Sequence, residues 1–267
     1  MQGTWKPRRA SRSAWQVQTD VIGALLMREI ITRYGRHNLG FLWLFVEPMV
    51  FTLGITALWS HFAHLRSAGF SVVEFAVTGY SSVLLWRNCA NRCVQALEPN
   101  LSLLYHRNVR VLDVFLARCL LEAAGATASL FLLTVIFNAT GLMQWPADPL
   151  QVMAAWLLLV WLGTALGTLL GAASARFDVL ERLWHPASYL LFPLSGAVFM
   201  VEWLPQPWAV TAPLLPMVSA LEMLRGGWFG PGAVVHYDAG YVVAVNLVLS
   251  LLALLMARDA ARRVQPQ

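Results

Sequence analysis

The chain has 267 residues, of which 58% are hydrophobic and 12% charged, with a formal net charge of +5 and a mean hydropathy of +0.59. Soluble domains carry about 25% charged residues, so the composition excludes an ordinary soluble domain and points to a polytopic membrane protein. The apolar residues stand in long blocks, without the alternating segments of about 10 residues that mark an outer-membrane barrel. The expected fold is therefore all-α.

The first 39 residues hold seven Lys and Arg and no apolar core leading to a cleavage site, so a cleaved signal peptide is not expected. Residues 27–36 are two-faced at helical spacing. Met27, Ile30, Ile31 and Tyr34 share one side, and Arg28, Glu29, Thr32, Arg33 and Arg36 the other. Such a helix, drawn over 15–38, lies in the membrane interface with its arginines among head groups. Gly35 and Gly40 then let the chain turn into the bilayer. Arg28, Arg33 and Arg36 suit two compatible roles: anchoring on anionic lipid, and contact with a phosphate of the substrate or with a partner subunit.

A spanning helix needs about 20 mostly apolar residues. Six stretches qualify: 41–62, 70–86, 111–137, 150–175, 183–200 and 239–257. In the first, Glu47 followed by Pro48 is either a functional intramembrane acid or a group that caps backbone freed at a kink. The third begins with Asp113, Arg118 and Glu122, which suggests that its start projects beyond the bilayer. The fifth carries Pro186 and Pro193, which should kink it. Seventeen Lys and Arg fall on the side of the termini and two, Arg66 and Arg225, on the other. By the positive-inside rule both termini are cytoplasmic.

Between spans two and three, residues 96–108 form a short amphipathic segment. Pro99 suits a first helical position, and Leu101, Leu104 and Tyr105 recur at helical spacing. A coupling helix that docks into a soluble partner and a plain interhelical turn are both open. Between spans five and six, residues 201–238 are too apolar for a soluble loop and are cut by Pro205, Pro207, Pro213, Pro216 and Pro231. Non-helical backbone at membrane depth survives only when buried in protein or lining water. Two short re-entrant helices within 202–235 are expected, usable as a gate or as a structural lid, with Glu222 and Arg225 able to pair at i,i+3.

Several single features carry little. Cys89, Cys93 and Cys119 are too few for a disulfide framework or a zinc site and read as small buried thiols. Two histidines, His61 and His64, lack further ligands, so no metal site is expected. Ser195-Gly196 lacks a base within reach, since His185 is about 15 Å away along a straight helix. Of the twelve tryptophans, most fall near span ends as an aromatic belt. Trp43, Tyr80, Trp86 and Phe199 are instead candidates for lining an internal path. Lys6 is the only lysine and follows no glycine, so no P-loop exists in the chain.

Three blocks together resemble a known family. They are Arg28-Glu29-Ile30-Ile31-Thr32-Arg33-Tyr34 with Leu39-Gly40-Phe41-Leu42-Trp43 and Glu47-Pro48; Asn108-Val109 with Leu112-Asp113-Val114, Ala117-Arg118 and Leu121-Glu122; and Leu215-Pro216 through Leu221-Glu222-Met223-Leu224-Arg225. The sequence is similar to permease subunits of type-2 ABC exporters for capsular polysaccharide and related O-antigen glycans, from the interfacial helix to span six. It departs from them at Leu215-Pro216, where Asn-Pro is usual.

The resemblance implies two copies of this chain plus two separate ATPase subunits, with ATP and Mg held only by the latter. It also implies a lipid-linked, usually acidic glycan as cargo in a bacterial inner membrane, passed to periplasmic and outer-membrane export components; no nucleic acid is involved. On that reading Glu98, Asn100, Leu101, Leu104, Tyr105 and Arg107 receive the motion of the ATPase. Arg28, Arg33, Arg36 and Glu47 admit the lipid end, Trp43, Tyr80, Trp86 and Phe199 line a glycan path, and Glu222 and Arg225 serve the periplasmic gate. O-antigen or teichoic-type export is the nearest alternative. A membrane enzyme on lipid-linked sugars would need acidic constellations such as Asp-x-Asp, which the sequence lacks. A secondary transporter would show an internal repeat, and none is seen.

Overall fold

A computed structural model describes residues 13–34, 38–59, 71–104 and 109–264, all as helices and short connections. The elements are α1 (Ala14–Tyr34), α2 (Asn38–Trp59), α3 (Val72–Val94), α4 (Leu101–Leu104), α5 (Val111–Ala139), α6 (Pro149–Ser174), α7 (Asp178–Leu194), α8 (Trp208–Thr211), α9 (Pro216–Phe229) and α10 (Ala239–Val264). Among the described residues no strand occurs, and three helices are long and apolar enough to cross a bilayer: Val111–Ala139, Pro149–Ser174 and Ala239–Arg263.

α3 is the central helix. From Glu74 through Trp86 every side chain is buried, including Thr78, Ser81 and Ser82. Thr78 and Ser82 return their hydroxyl hydrogens to the carbonyls of Glu74 and Thr78, at 2.7 Å each, so these two enter an apolar core without a stranded donor, whereas the Ser81 hydroxyl is buried without a partner among the described residues. The helix continues well past the expected end of span two. Arg87 ends the apolar run, but Cys89, Ala90, Cys93 and Val94 keep the packed side of the helix small and buried.

α3 lies unusually close to α6, and glycine is the reason. Gly163, Gly167 and Gly171 recur every four residues along α6. A β-carbon on them would stand 2.9 Å from Trp86 Cα, 2.8 Å from the Cys89 carbonyl oxygen and 2.6 Å from the Cys93 carbonyl oxygen. Small residues at this spacing let two membrane helices touch backbone to backbone, and dispersion over that contact replaces the hydrophobic drive that lipid cannot supply. Cys89, Cys93 and Cys119 meet at the same level, buried, with Cys93 Sγ 3.4 Å from Cys119 Sγ. They pack as small apolar groups, as the sequence suggested.

α7 departs most from the sequence expectation, starting and ending earlier than 183–200. Asp178 and Glu181 lie in its first turn, where acids favour a helix N-terminus. At its other end Gly196 adopts φ +82°, a left-handed backbone that glycine takes without penalty. With 17 residues it rises only about 25 Å, short of a bilayer core of about 30 Å. Residues 195–203 continue from it as turns and a 3₁₀ turn, Val201–Trp203. Of the three apolar helices α10 is the least covered, with 17% of its most apolar stretch buried in the chain, and its exposed Leu247, Leu251, Leu254 and Leu255 form an apolar face.

Candidate functional site

Four polar side chains of α1, Gln18, Arg28, Glu29 and Arg33, turn onto α5 and the 98–104 loop. Arg33 sits between two carboxylates, Glu29 at 2.7 Å and Glu122 of α5. Arg118 Nε lies 3.3 Å from Glu29, and Arg92 Nε of α3 lies 3.3 Å from Glu122. Further up α1, the Gln18 amide donates to Asp113. Meanwhile Met27 and Ile31, on the opposite side, are exposed, which leaves an apolar face for lipid. Arg28, Glu29 and Arg33 of the polar side thus face protein, whereas Thr32 of the same side is exposed.

The same lattice holds the charged start of α5, since Asp113, Arg118 and Glu122 all find partners in α1, in α3 or in the turn before α5. Asp113 is buried and accepts from the Arg110 backbone N–H at 2.9 Å, closing the first turn of α5. Arg118 also donates to the Arg92 carbonyl at 2.6 Å. A charge buried alone would be costly, but carboxylates and guanidinium groups interleaved at this spacing compensate one another. Burial pulls the Arg33 pKa down, yet Glu122 and Glu29 outweigh it and hold the group above an ordinary arginine. Arg33 is therefore a permanent cation.

Beside this lattice opens a cleft of about 1000 Å³, bounded by α1, the C-terminal ends of α3 and α6, the start of α7 and the 98–100 turn. Arg28, Arg33, Arg92, Arg118 and Arg182 line it, balanced by Glu29, Glu98, Asp178 and Glu181. A lining of mixed sign suits a protein surface carrying both charges better than it suits simple anion capture.

The segment between α3 and α5 lies on the rim of this cleft. Glu98–Asn100 form one 3₁₀ turn with Pro99 at its start, and Leu101–Leu104 one α-helical turn. Glu98 and Leu101 are exposed, whereas Asn100 and Leu104 are buried. Asn100 donates its amide to the Ala96 carbonyl at 2.7 Å and accepts at Oδ1 from Arg28. Tyr105, Arg107 and Arg36 lie outside the described residues.

At the opposite end of the bundle, Glu222 and Arg225 do not pair with each other. Arg225 is wholly buried and donates to the carbonyls of Gly196 and Phe199 at 2.7 Å and of Ala197 at 2.9 Å. Its guanidinium stacks 3.9 Å from the centre of the Phe75 ring. Glu222 instead accepts from the backbone N–H groups of Val201 at 3.2 Å and His236 at 3.1 Å. The i,i+3 spacing puts both on α9, but each reaches the nearest loop with unpaired backbone groups. α9 itself is fixed to α6, with Asp148 N donating to the Gly227 carbonyl at 2.8 Å and Gln151 to that of Met223 at 2.9 Å. The geometry is that of a lock between α7, α3 and α9.

The aromatic candidates separate. Trp43 is exposed on α2, and Glu47 is half-buried on the same helix. Tyr80 is buried and meets Phe192 edge-on at 5.8 Å. Trp86 is 1% exposed in the core, so neither of its faces is open for stacking on a sugar within one copy of the chain. Phe199 is half-buried, its carbonyl held by Arg225. Ser195 is buried and gives its hydroxyl hydrogen to the Phe192 carbonyl at 2.6 Å.

Sequence reasoning missed Gly79 and the α6 glycines. A β-carbon on Gly79 would stand 2.6 Å from the Ala197 carbonyl oxygen and 2.8 Å from Arg225 Nη2, so Gly79 makes room for the buried guanidinium. The Gly-x-x-x-Gly spacing of α6 was readable. Gly79 gave no such signal, because its partner lies far away in sequence.

Residues 20–229 match the family described as ABC-2 type transporter. The chain is 43% identical over 258 residues to the capsule polysaccharide export inner-membrane protein CtrC of Neisseria meningitidis serogroup B, covering 96% of this chain and 97% of that protein. It is 41% identical over 251 residues to the protein of the same description, BexB, of Haemophilus influenzae, covering 94% and 95%. The polysialic acid transport protein KpsM of Escherichia coli is 28% identical over 255 residues, covering 94% and 98%. The matched region runs from α1 to the end of α9 and so contains both the charge lattice and the Arg225 lock. The chain belongs to the ABC-2 type transporter family of membrane proteins.

Proposed function

We propose that this chain is the transmembrane subunit of an ATP-driven exporter that moves lipid-linked capsular polysaccharide across the bacterial inner membrane. The observation that carries the reading is its similarity, over more than nine-tenths of its length, to proteins named for capsule polysaccharide export. The lone Lys6 rules out a P-loop on this chain, so ATP and Mg belong to a separate ATPase. A second copy of the chain completes the pathway, and two ATPase subunits drive it.

In this reading six helices span the bilayer: α2, α3, α5, α6, α7 with its 195–203 leg, and α10. Both termini are cytoplasmic, which agrees with seventeen basic residues on that side. The cleft beside Glu98, Asn100 and Leu101 receives the ATPase; Tyr105 and Arg107 extend that contact. The mixed sign of the cleft supports this use. The lipid end of the substrate enters along α1, where Arg36 and the margin of the Arg28 and Arg33 lattice meet head groups, with Glu47 and Trp43 above. Periplasmic and outer-membrane components take the glycan onward. O-antigen or teichoic-type export differs only in the cargo.

Co-purification tests the assembly. The chain expressed with the ATPase encoded beside it should elute as a complex of two and two, with ATP hydrolysis stimulated by lipid-linked glycan. A chain that stays alone, or one that transports without nucleotide, would overturn the proposal.

A further inference from the structure

We infer that α1 and the 98–104 loop form one mechanical body joined by Arg28, so that a displacement of the loop is delivered to the interfacial helix. The inference rests on the proposed role of the loop as the ATPase contact. Arg28 leaves α1 and donates from Nη1 to the Asn100 side chain and from Nη2 to the Pro99 carbonyl, the latter at 3.4 Å. Asn100 is 3% exposed, and its other end donates to the Ala96 carbonyl at 2.7 Å. One amide thus holds the loop closed and holds α1 to the loop. Arginine suits this position because its planar fork can bind two acceptors in fixed geometry, where an ammonium acts as a point charge.

A second, apolar contact runs in parallel. Leu25 of α1 packs in one buried cluster with Leu97 and Leu104 of the loop and Val111 and Phe115 of α5. Beyond it, Glu29 to Arg118 and Arg33 to Glu122 fasten α1 to α5. Motion of the loop therefore has a contiguous path of side chains: Asn100, Arg28, α1, then Arg33 and Glu122 into the third span. Arg28 is a positioning residue in this scheme. It acts by keeping α1 and the loop in register while the ATPase moves the loop.

The test uses the complete complex of permease and ATPase in lipid and reads glycan exported per ATP hydrolysed. Arg28→Ala and Asn100→Leu should each lower that ratio about tenfold, the factor matching one charge-assisted hydrogen bond of moderate strength. A purely structural defect would lower export and hydrolysis together and leave the ratio unchanged. The decisive arm replaces Cys89, Cys93 and Cys119 with alanine and introduces Arg28→Cys with Asn100→Cys. A short bismaleimide joining these two positions should raise the ratio back towards that of the parent. A ratio that stays low after cross-linking, or export that cross-linking stops, would overturn the inference. Failure of the parent complex to assemble or hydrolyse ATP would instead overturn the functional reading beneath it.

Discussion

Replacing Arg225 tests the lock at the outer end of the bundle. In Arg225→Met the side-chain volume is roughly kept, but the carbonyls of Gly196, Ala197 and Phe199 lose the guanidinium, with only that of Gly196 keeping another donor, the Phe199 N–H at 3.4 Å. A stranded buried acceptor costs about 1–3 kcal/mol, and the contact with the Phe75 ring, at 3.9 Å, adds up to about 2 kcal/mol when desolvated. Against this, a buried guanidinium carries a desolvation cost of several kcal/mol that its removal relieves. The net loss should be about 3–5 kcal/mol, which corresponds to a fall of roughly 6 °C or more in the unfolding midpoint of the purified protein. Lysine should recover only part of it, since one ammonium lacks the planar fork of the guanidinium. The assay is thermal unfolding in detergent, followed by tryptophan fluorescence. If Arg225→Met unfolds at the temperature of the parent, the buried fork does not hold α7 to α9 and the reasoning fails.

Other outcomes follow from the same contacts. Gly167→Leu should separate α6 from α3, because its β-carbon alone would stand 2.8 Å from the Cys89 carbonyl; loss of folded protein from membranes checks it. Gly23→Ala meets nothing within 4 Å and should stabilise by about 0.5–1 kcal/mol through helix propensity, read by the same unfolding assay. Glu122→Gln leaves Arg33 and Arg92 short of a shared carboxylate and should cost about 3 kcal/mol, read by the same unfolding assay. The exchanged pair Arg33→Glu and Glu122→Arg should not recover it, because it sets the new carboxylate against Glu29 and the new guanidinium against Arg92. Ser195→Ala should retain full export, since the hydroxyl only returns a hydrogen bond to its own helix; an inactive variant would reopen a nucleophilic role.

Where physics acts along one helix, the sequence was legible. The blocks that became α5 and α6 were bounded within two residues, because a charged or polar start and a turn close each apolar run. The division of 27–36 into two sides was likewise a local matter of 3.6-residue spacing. What that spacing does not contain is the neighbour. Arg33 meets Glu122 across 89 residues of chain, so its polar side read equally well as facing head groups. Arg225 and Glu222 were placed on one helix correctly, but buried backbone groups of distant turns outcompeted their mutual attraction. The end of α7 was missed for a related reason: hydropathy continues through 195–200, while Gly196 and the Arg225 fork end the helix before it.

Transport itself is the most direct test of the account. Proteoliposomes holding the purified chain and its ATPase, with lipid-linked capsular glycan supplied on the ATPase side, should move glycan across the bilayer only when ATP and Mg are present. They should cease to do so when the ATPase is left out. Glycan that crosses without nucleotide, or a complete complex that hydrolyses ATP but never moves glycan, would contradict the assignment of this chain as the membrane half of the exporter.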